Sequence, residues 1–168
     1  MQHQTYCLFS LGTNLGQRYQ NLQQAIMRLE KEMTITDLSP VYETLPWGLL
    51  EQPNFLNMCV GGWTNMPVSA LLNKCQEIEK VMGKKQEVRW GPRLIDIDIL
   101  FYGSLIFQQD SLAIPHPRMH ERSFVLVPLA DIAPHFEHPQ LKQTIMELLQ
   151  TVVDTSSVYK LEGLPTIR

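Results

Sequence analysis

Apolar residues recur along the chain with two different spacings, and the spacing predicts which segments form helices. Steps of three and four residues place apolar side chains on one face of a helix. Two segments follow this pattern, the first at Tyr19, Leu22, Ile26, Leu29 and Met33, and the second at Val68, Leu71, Leu72, Cys75, Ile78 and Met82. Both are predicted to be amphipathic helices, and Pro67 and Gly83 mark the start and the stop of the second.

Shorter apolar runs predict the strands of a sheet against which these helices pack. The runs occupy residues 5–11, 35–42, 55–64 and 95–102, and a return strand is expected at 105–107. Gly61 and Gly62 interrupt the third run and indicate a bulge or a close approach of two backbones. Two more helices are predicted at 123–132 and 141–152, and Pro128 must lie near the start of the first or kink it.

The order of these elements predicts the fold class. Strands and helices alternate, but two connections are too short to contain a crossover helix. No repeat, low-complexity tract or linker divides the 168 residues. We therefore predict a single α+β domain over residues 1–168, a ferredoxin-like layered structure with a mixed or mainly antiparallel sheet and helices packed on both faces.

Composition narrows the classes of function. With 44% apolar residues and a formal net charge of -3, the chain can bury one core but lacks the basic surface that nucleic acids require. Its three cysteines form no CxxC pair, which is typical of a reduced protein without a disulfide framework or a zinc site. The first residues show no basic leader and no apolar run of the roughly 20 residues that a membrane helix needs. We expect a cytoplasmic protein without membrane contact, and a monomer.

Two carboxylates, Asp96 and Asp98, lie within the aliphatic strand DIDIL. Residues i and i+2 of a strand point to the same face, so the two Cβ atoms should stand roughly 6–7 Å apart while the isoleucines face the core. Adjacent carboxylates repel each other unless a cation compensates, and Mg²⁺, singly or as a pair of ions, prefers such ligands. The alternative is an edge strand with a hydrated acidic face.

A cluster of cations precedes this strand. Lys84, Lys85, Arg89 and Arg93 surround Trp90 in a polar, aperiodic segment that predicts an exposed loop. A basic loop beside an acidic strand face suits a metal-bound polyphosphate, because the metal meets the carboxylates while guanidinium groups hold the outer oxygens. The alternative is an ordinary solvated loop.

A histidine lies between two prolines in the segment IPHPRMHERSF. The prolines should hold the backbone of His116 extended, and the neighbouring Arg118 and Arg122 could extend the anion site. The alternative for His116 is a packed or surface histidine without a ligand.

Taken together, four motifs resemble those of the 6-hydroxymethyl-7,8-dihydropterin pyrophosphokinase family of folate biosynthesis. They are SLGTNLGQRYQNL, VYETLPWG with QPNFLNMCV, RWGPRLIDIDIL, and IPHPRMHERSFVLVPLADIAP, which together extend over nearly the whole chain. The combination of RWGPR-x-x-D-x-D with a downstream PHPR and R-x-F is highly specific, whereas each motif alone is weaker.

The resemblance implies an activity and a set of site residues. The activity is transfer of a pyrophosphoryl group from ATP to the hydroxymethyl oxygen of the pterin, with release of AMP. Two Mg²⁺ ions would be held by Asp96 and Asp98, and the catalytic residues would be these two with Arg89 and Arg93. The nucleotide site would be lined by Gln76, Glu79, Lys84, Arg89, Trp90, Arg93, Ile99, His116 and Arg122.

The resemblance also implies a pterin site between two aromatic rings, which fall on Phe55 and Phe124. A flat bicyclic ring is well held between two ring faces. Asn57 would bind the edge of the heterocycle because its amide offers both a donor and an acceptor. Backbone groups around Thr44 and Trp47 would assist it. For any single phenylalanine, ordinary core packing is the alternative.

The sequence departs from the family pattern at two places. Many members begin the loop before RWGPR with G-R-x-R, whereas this chain reads GKKQEV, so that Lys84 and Lys85 would replace guanidinium groups by point charges. Trp47 is bulkier than the aliphatic residue that is common at its position. We expect residues 84–92 and the segment PWGLLEQPN to close over the substrates.

Two alternatives from other classes remain at the level of sequence. A metal-dependent nuclease could also use paired aspartates with basic and aromatic residues, although the acidic net charge argues against it. A nucleotide-binding module without catalysis is the other alternative. Formation of AMP from ATP, magnesium and the hydroxymethyl pterin would distinguish the enzyme from the binding module.

Overall fold

The computed structural model describes residues 3–46, 51–84, 91–152, 155 and 157–162. Six strands form one sheet in which every described pair is antiparallel. The order is β5-β1-β4-β3-β8, and β2 pairs with the other end of β4. The strands are β1 (Thr5–Thr13), β2 (Thr34–Leu38), β3 (Tyr42–Thr44), β4 (Phe55–Thr64), β5 (Asp96–Tyr102) and β8 (Val158–Lys160).

Helices cover both faces of the sheet. On one face α1 (Arg18–Leu29) and α2 (Val68–Val81) contribute Leu22, Ile26 and Leu71 to a core in which these side chains are at most 1% exposed. On the other face α3 (Ser123–Ile132) and α4 (Ile145–Thr151) pack over a second core. Burial of each such aliphatic side chain contributes roughly 1.5–3 kcal/mol. The predicted α+β architecture, with an antiparallel sheet and helices on both faces, is confirmed.

The predicted helical faces are confirmed as well. The buried residues of α1 include Leu22, Ile26 and Leu29. In α2 they include Leu71, Cys75 and Ile78. The three cysteines Cys7, Cys59 and Cys75 are free and buried. Within the described residues, no helix combines the length and the apolar character that crossing a membrane requires.

The predicted strand over residues 35–42 is wrong as a single element. The structure has two strands there, β2 and β3, which pair with different halves of β4. Pro40 lies between them and has no N–H to donate to a ladder, so the strand cannot continue through it. Ser39 compensates at the break, because its Oγ accepts a hydrogen bond from the Cys59 N–H and its own N–H donates to the Cys59 carbonyl.

The close approach expected at Gly61 and Gly62 is confirmed. A Cβ atom on Gly61 would collide with the Tyr6 hydroxyl, and one on Gly62 would collide with the Thr34 carbonyl oxygen. The accompanying bulge lies on the partner strand β2, where the register shifts between Ile35 and Asp37.

The second half of the chain departs from the prediction in three details. The expected return strand is a hairpin of β6 (Phe107–Gln109) and β7 (Leu112–Ile114), which pair with each other. Helix α4 begins later than expected because Thr144 and Glu147 form a reciprocal capping box. Pro128 lies buried in the interior of α3, so of the two predicted arrangements the position near the helix start is wrong, and a kink stays a prediction.

Candidate active site

Several polar residues that the sequence analysis singled out lie on one face of the sheet. In the register of β1 with β5, Asp96 lies opposite Gly12 and Asp98 opposite Ser10. Across the next pair of strands Gly12 lies opposite Asn57. Because side chains alternate along strands, these positions all face the side of the sheet that α3 and α4 cover. The isoleucines Ile95, Ile97 and Ile99 point into the opposite core, as predicted.

A cleft with a volume of about 370 Å³ opens over this face, beside the beginning of α3. It brings together eight of the predicted residues, namely Thr44, Phe55, Asn57, Arg93, Asp96, Asp98, Arg122 and Phe124. The two predicted halves of the site, acidic and aromatic, therefore share one cavity. Arg118, which the sequence suggested as an extension of the anion site, also lines it.

The two carboxylates of the acidic pair, Asp96 and Asp98, have different electrostatic surroundings. Burial raises the pKa of Asp98 from its ordinary value of 3.8 to about 6, and the charges of Asp96 and Glu79 add to that effect. Asp96 instead has a cationic neighbour on each side. Its Oδ1 lies 2.7 Å from Nζ of Lys84, and its Oδ2 lies 3.6 Å from Nε of Arg93. The cleft therefore holds a carboxylate pair whose full ionisation a further cation would favour.

The end of α2 explains why Lys84 reaches this pair. Gly83 has a φ of +103°, and the N–H groups of Gly83 and Lys84 donate to the carbonyls of Lys80 and Glu79. This is a Schellman motif, which reverses the chain at the helix end. It places Lys84 beside Glu79, and Nζ of Lys84 lies 3.1 Å from Glu79 Oε2.

Glu79 forms a hydrogen bond with the backbone at the edge of β5 that no strand of the sheet pairs with in the part of the chain that the structure describes. Its Oε1 accepts a hydrogen bond of 2.7 Å from the Ile97 N–H. The alternation of a strand then directs the backbone groups of Ile99 to the same free edge. The side chain of Ile99 packs in the core, so only its backbone is available at that edge.

His116 follows β7 and lies beside β5 without being part of a strand. Its N–H donates to the Leu100 carbonyl, and its Nδ1 accepts a hydrogen bond from the Arg118 N–H. Burial, together with the nearby charges of Arg122 and Arg118, lowers the pKa of His116 to about 4. The imidazole is therefore neutral at physiological pH.

The aromatic half of the cleft contains a buried amide. Asn57 is 3% exposed, and its Nδ2 donates a hydrogen bond of 2.7 Å to Thr44 Oγ1. Gly12 makes room for it, since a Cβ atom there would lie 3.2 Å from Asn57 Oδ1. The guanidinium of Arg122 lies 5.7 Å from the centroid of the Phe124 ring, within the range of a cation–π contact.

Other predicted residues lie apart from the cleft or outside the described residues. Gln76 is exposed on α2, and neither the side chain of Ile99 nor that of His116 lines the cavity. Trp47, Lys85, Arg89 and Trp90 lie outside the described residues.

Sequence reasoning missed several cleft residues, namely Ser10, Gly12, Leu45 and Gly91. Ser10 and Gly12 had a weak signal, because small residues at alternate positions of an otherwise apolar strand leave space on one face. Leu45 and Gly91 are placed by the approach of separate segments, which local periodicity does not encode.

Comparison with known proteins identifies the family. Residues 8–134 match the family model described as 7,8-dihydro-6-hydroxymethylpterin-pyrophosphokinase (HPPK). The chain is 44% identical over 130 residues to the 2-amino-4-hydroxy-6-hydroxymethyldihydropteridine pyrophosphokinase of Bacillus subtilis, covering 76% of this chain and 78% of that protein. It is 39% identical over 137 residues to the protein of the same name from Aquifex aeolicus, covering 82% of this chain and 86% of the relative.

Longer relatives and solved structures contain this unit as a part. The folic acid synthesis protein FOL1 of Dictyostelium discoideum is 40% identical over 157 residues, which cover 94% of this chain and 24% of that protein. A crystal structure of Plasmodium falciparum HPPK-DHPS superposes with a TM-score of 0.69 at 18% identity, over 88% of this chain and 44% of that one, and supports the fold alone. The chain belongs to the HPPK family, the pyrophosphokinases that transfer pyrophosphate from ATP to hydroxymethyldihydropterin in folate synthesis.

Proposed function

We propose that the cleft over β5, β1 and β4 is where this chain transfers pyrophosphate from ATP to 6-hydroxymethyl-7,8-dihydropterin. One observation carries the proposal: a single cavity joins a carboxylate pair flanked by cations to a slot lined by two phenylalanines and a buried amide. The acidic half suits a metal-bound polyphosphate, and the aromatic half suits a flat, polar-edged heterocycle.

Asp96 and Asp98 fit divalent metal ions by the chemistry of their donors. The raised pKa of Asp98 reflects a buried charge that a cation would stabilise. Among the described residues, no group of three or more His, Cys, Asp and Glu side chains could hold a metal. Mg²⁺ commonly uses one or two carboxylates and takes its other ligands from phosphate and water. When bound, two such ions would neutralise phosphate charge and stabilise the transition state.

The nucleotide would lie along the free edge of β5. The backbone N–H and carbonyl of Ile99 point there and could pair with the edge of adenine, as a neighbouring strand would. Arg93, Arg118 and Arg122 line the cleft and would hold the phosphate oxygens with their guanidinium groups. Neutral His116 adds a hydrogen-bond donor without adding charge.

The pterin would insert between the rings of Phe55 and Phe124. Two stacking contacts contribute roughly 0.5–1.5 kcal/mol each beyond the burial of apolar area. Asn57, held by its bond to Thr44, retains its Oδ1 as an acceptor for the donor groups at the pterin edge. The hydroxymethyl arm would then point along the sheet towards the aspartates.

Transfer needs no covalent intermediate with the protein. The hydroxymethyl oxygen attacks the β-phosphorus, the bond from that phosphorus to the bridging oxygen of the α-phosphate breaks, and AMP leaves with that oxygen. The hydroxyl proton passes to solvent. The contribution of this chain is positioning and charge stabilisation, which dominate catalysis of phosphoryl transfer.

Labelled ATP tests the proposed function. With γ-labelled ATP, magnesium and the hydroxymethyl pterin, we expect the label to move to the pterin and AMP to form in equal amount. Formation of ADP, or of AMP without labelled pterin, would contradict pyrophosphoryl transfer. Binding of ATP without any AMP would favour the nucleotide-binding module instead. That the protein is a monomer and cytoplasmic stays a prediction.

A further inference from the structure

Asn14 directly follows β1 and is 1% exposed. Its side-chain Oδ1 accepts a hydrogen bond of 2.6 Å from the Arg93 N–H, and its backbone N–H donates to the Arg93 carbonyl at 2.9 Å. Its Nδ2 donates to Gln52 Oε1 at 2.8 Å and to the Pro53 carbonyl at 2.9 Å. One amide therefore ties together two segments that are distant in sequence.

These two segments approach the cleft from opposite halves. Gln52 and Pro53 lie just before Phe55, which lines the aromatic half. Arg93 lies just before β5, lines the acidic half, and contacts Asp96. Asn14 bonds to both, so a displacement of either segment disturbs hydrogen bonds that also hold the other.

The chemistry of the amide makes this tie difficult to replace. An asparagine supplies two donors and one acceptor from a single planar group, and both kinds are used here. Aspartate would keep the acceptor for the Arg93 N–H but would lose both donors. Since the site is buried, a lost partner leaves polar groups unsatisfied. In Asn14→Asp the hydrogen bonds that are lost are those to Gln52 and Pro53.

We propose that Asn14 is a positioning residue that couples the pterin half of the cleft to the nucleotide half. When the pterin orders the Gln52–Pro53 segment, the Asn14 amide also orders Arg93. When the nucleotide orders Arg93, the same amide orders the Gln52–Pro53 segment. The inference rests on the proposed function, because it takes those two ligands as the occupants. Linkage then requires each ligand to tighten the other by the same factor.

Calorimetry tests the coupling without turnover. The affinity for a non-hydrolysable ATP analogue with magnesium is measured with and without the pterin, and the reverse titration gives the same factor. In the unmodified chain we expect each ligand to tighten the other at least about fivefold, the lower end of typical coupling. In Asn14→Asp that factor should fall towards one, and KM for the pterin should rise more than kcat falls.

Two further variants make the result specific. Asn21 is the matched control, since its amide bonds to Thr13, Leu15 and Leu94 and does not reach the Gln52 segment. Asn21→Ala should therefore keep the coupling factor. Gln52→Ala removes one acceptor from a partly exposed side chain and should reduce the factor even if Asn14→Asp does not fold.

The outcomes separate this inference from the proposed function. If the unmodified chain shows no coupling, or if Asn14→Asp folds and keeps the full factor, the inference is wrong while labelled pterin still forms. An unchanged factor in Gln52→Ala, when Asn14→Asp does not fold, also overturns it. If the unmodified chain fails to bind either ligand, the proposed function itself fails.

Discussion

The ammonium of Lys84 lies 2.7 Å from Asp96 Oδ1 and so occupies one side of the acidic pair. The neighbouring Asp96 and Glu79 charges raise the pKa of Lys84, against the opposing effect of burial. Lys84 thus acts as a counter-ion within the substrate-free chain.

Replacement of Lys84 should therefore change metal affinity and turnover in opposite directions. Lys84→Gln removes a cation that competes for Asp96, and Mn²⁺ binding without nucleotide should tighten about two- to fivefold, as expected for a partly exposed ion pair. Turnover should fall, because the family resemblance assigns Lys84 to the nucleotide site, where its positive charge would be lost. Lys80→Gln, on the exposed side of α2, is the control and should change neither quantity. Weaker metal binding in Lys84→Gln would contradict the counter-ion role.

Neutralising Asp98 should separate activity from stability. Asp98→Asn keeps the shape of the side chain but removes a charge that burial makes unfavourable. We expect turnover to fall about 10³-fold or more, equivalent to roughly 4 kcal/mol of transition-state stabilisation. The melting temperature of the metal-free protein at pH 7 should stay the same or rise. Near-normal turnover in the folded variant would refute the metal-binding role of Asp98.

The raised pKa of Asp98 also predicts the acid limb of the pH profile. Because that pKa is about 6 in the folded chain, kcat/KM for ATP should fall as pH drops below about 6. Between pH 3.8 and about 6 the folded chain binds more protons at Asp98 than the unfolded chain, so the contribution of Asp98 to stability decreases as pH rises.

His116 provides the control for this profile. Its pKa of about 4 leaves the imidazole neutral across the limb, so His116→Asn should lower activity without moving the limb. A limb near pH 6 that disappears in His116→Asn would assign the titration to the histidine instead.

The stacking role of Phe124 can be separated from core packing. Phe124→Leu keeps an apolar side chain but removes the aromatic face, and the pterin should bind about two- to twelvefold more weakly, as expected for one lost stacking contact of roughly 0.5–1.5 kcal/mol. Binding of the ATP analogue alone should change much less. Phe136→Leu is the control, since Phe136 packs against Tyr6 and Phe101 away from the cleft. It should lower the melting temperature and leave pterin affinity unchanged.

The sequence by itself determined the local features of the molecule. The spacing of apolar residues gave the buried faces of α1 and α2, and the alternation in DIDIL assigned the isoleucines to the core and both aspartates to the other face. Such features depend only on the geometry of one helix or one strand, which repeats at a fixed period along the chain.

Tertiary structure decided which of these local features meet. It paired the two parts of the strand expected at 35–42, on either side of Pro40, with different sections of β4. The family resemblance had assigned Glu79 only to the nucleotide site. The tertiary structure shows that its carboxylate accepts a hydrogen bond from the Ile97 N–H. The tie from Asn14 to Gln52 and Arg93 has no sequence signal beyond a turn, since its partners are 38 and 79 residues away. Hydrogen bonds between distant segments are selected by the packed fold as a whole, and no local period encodes them.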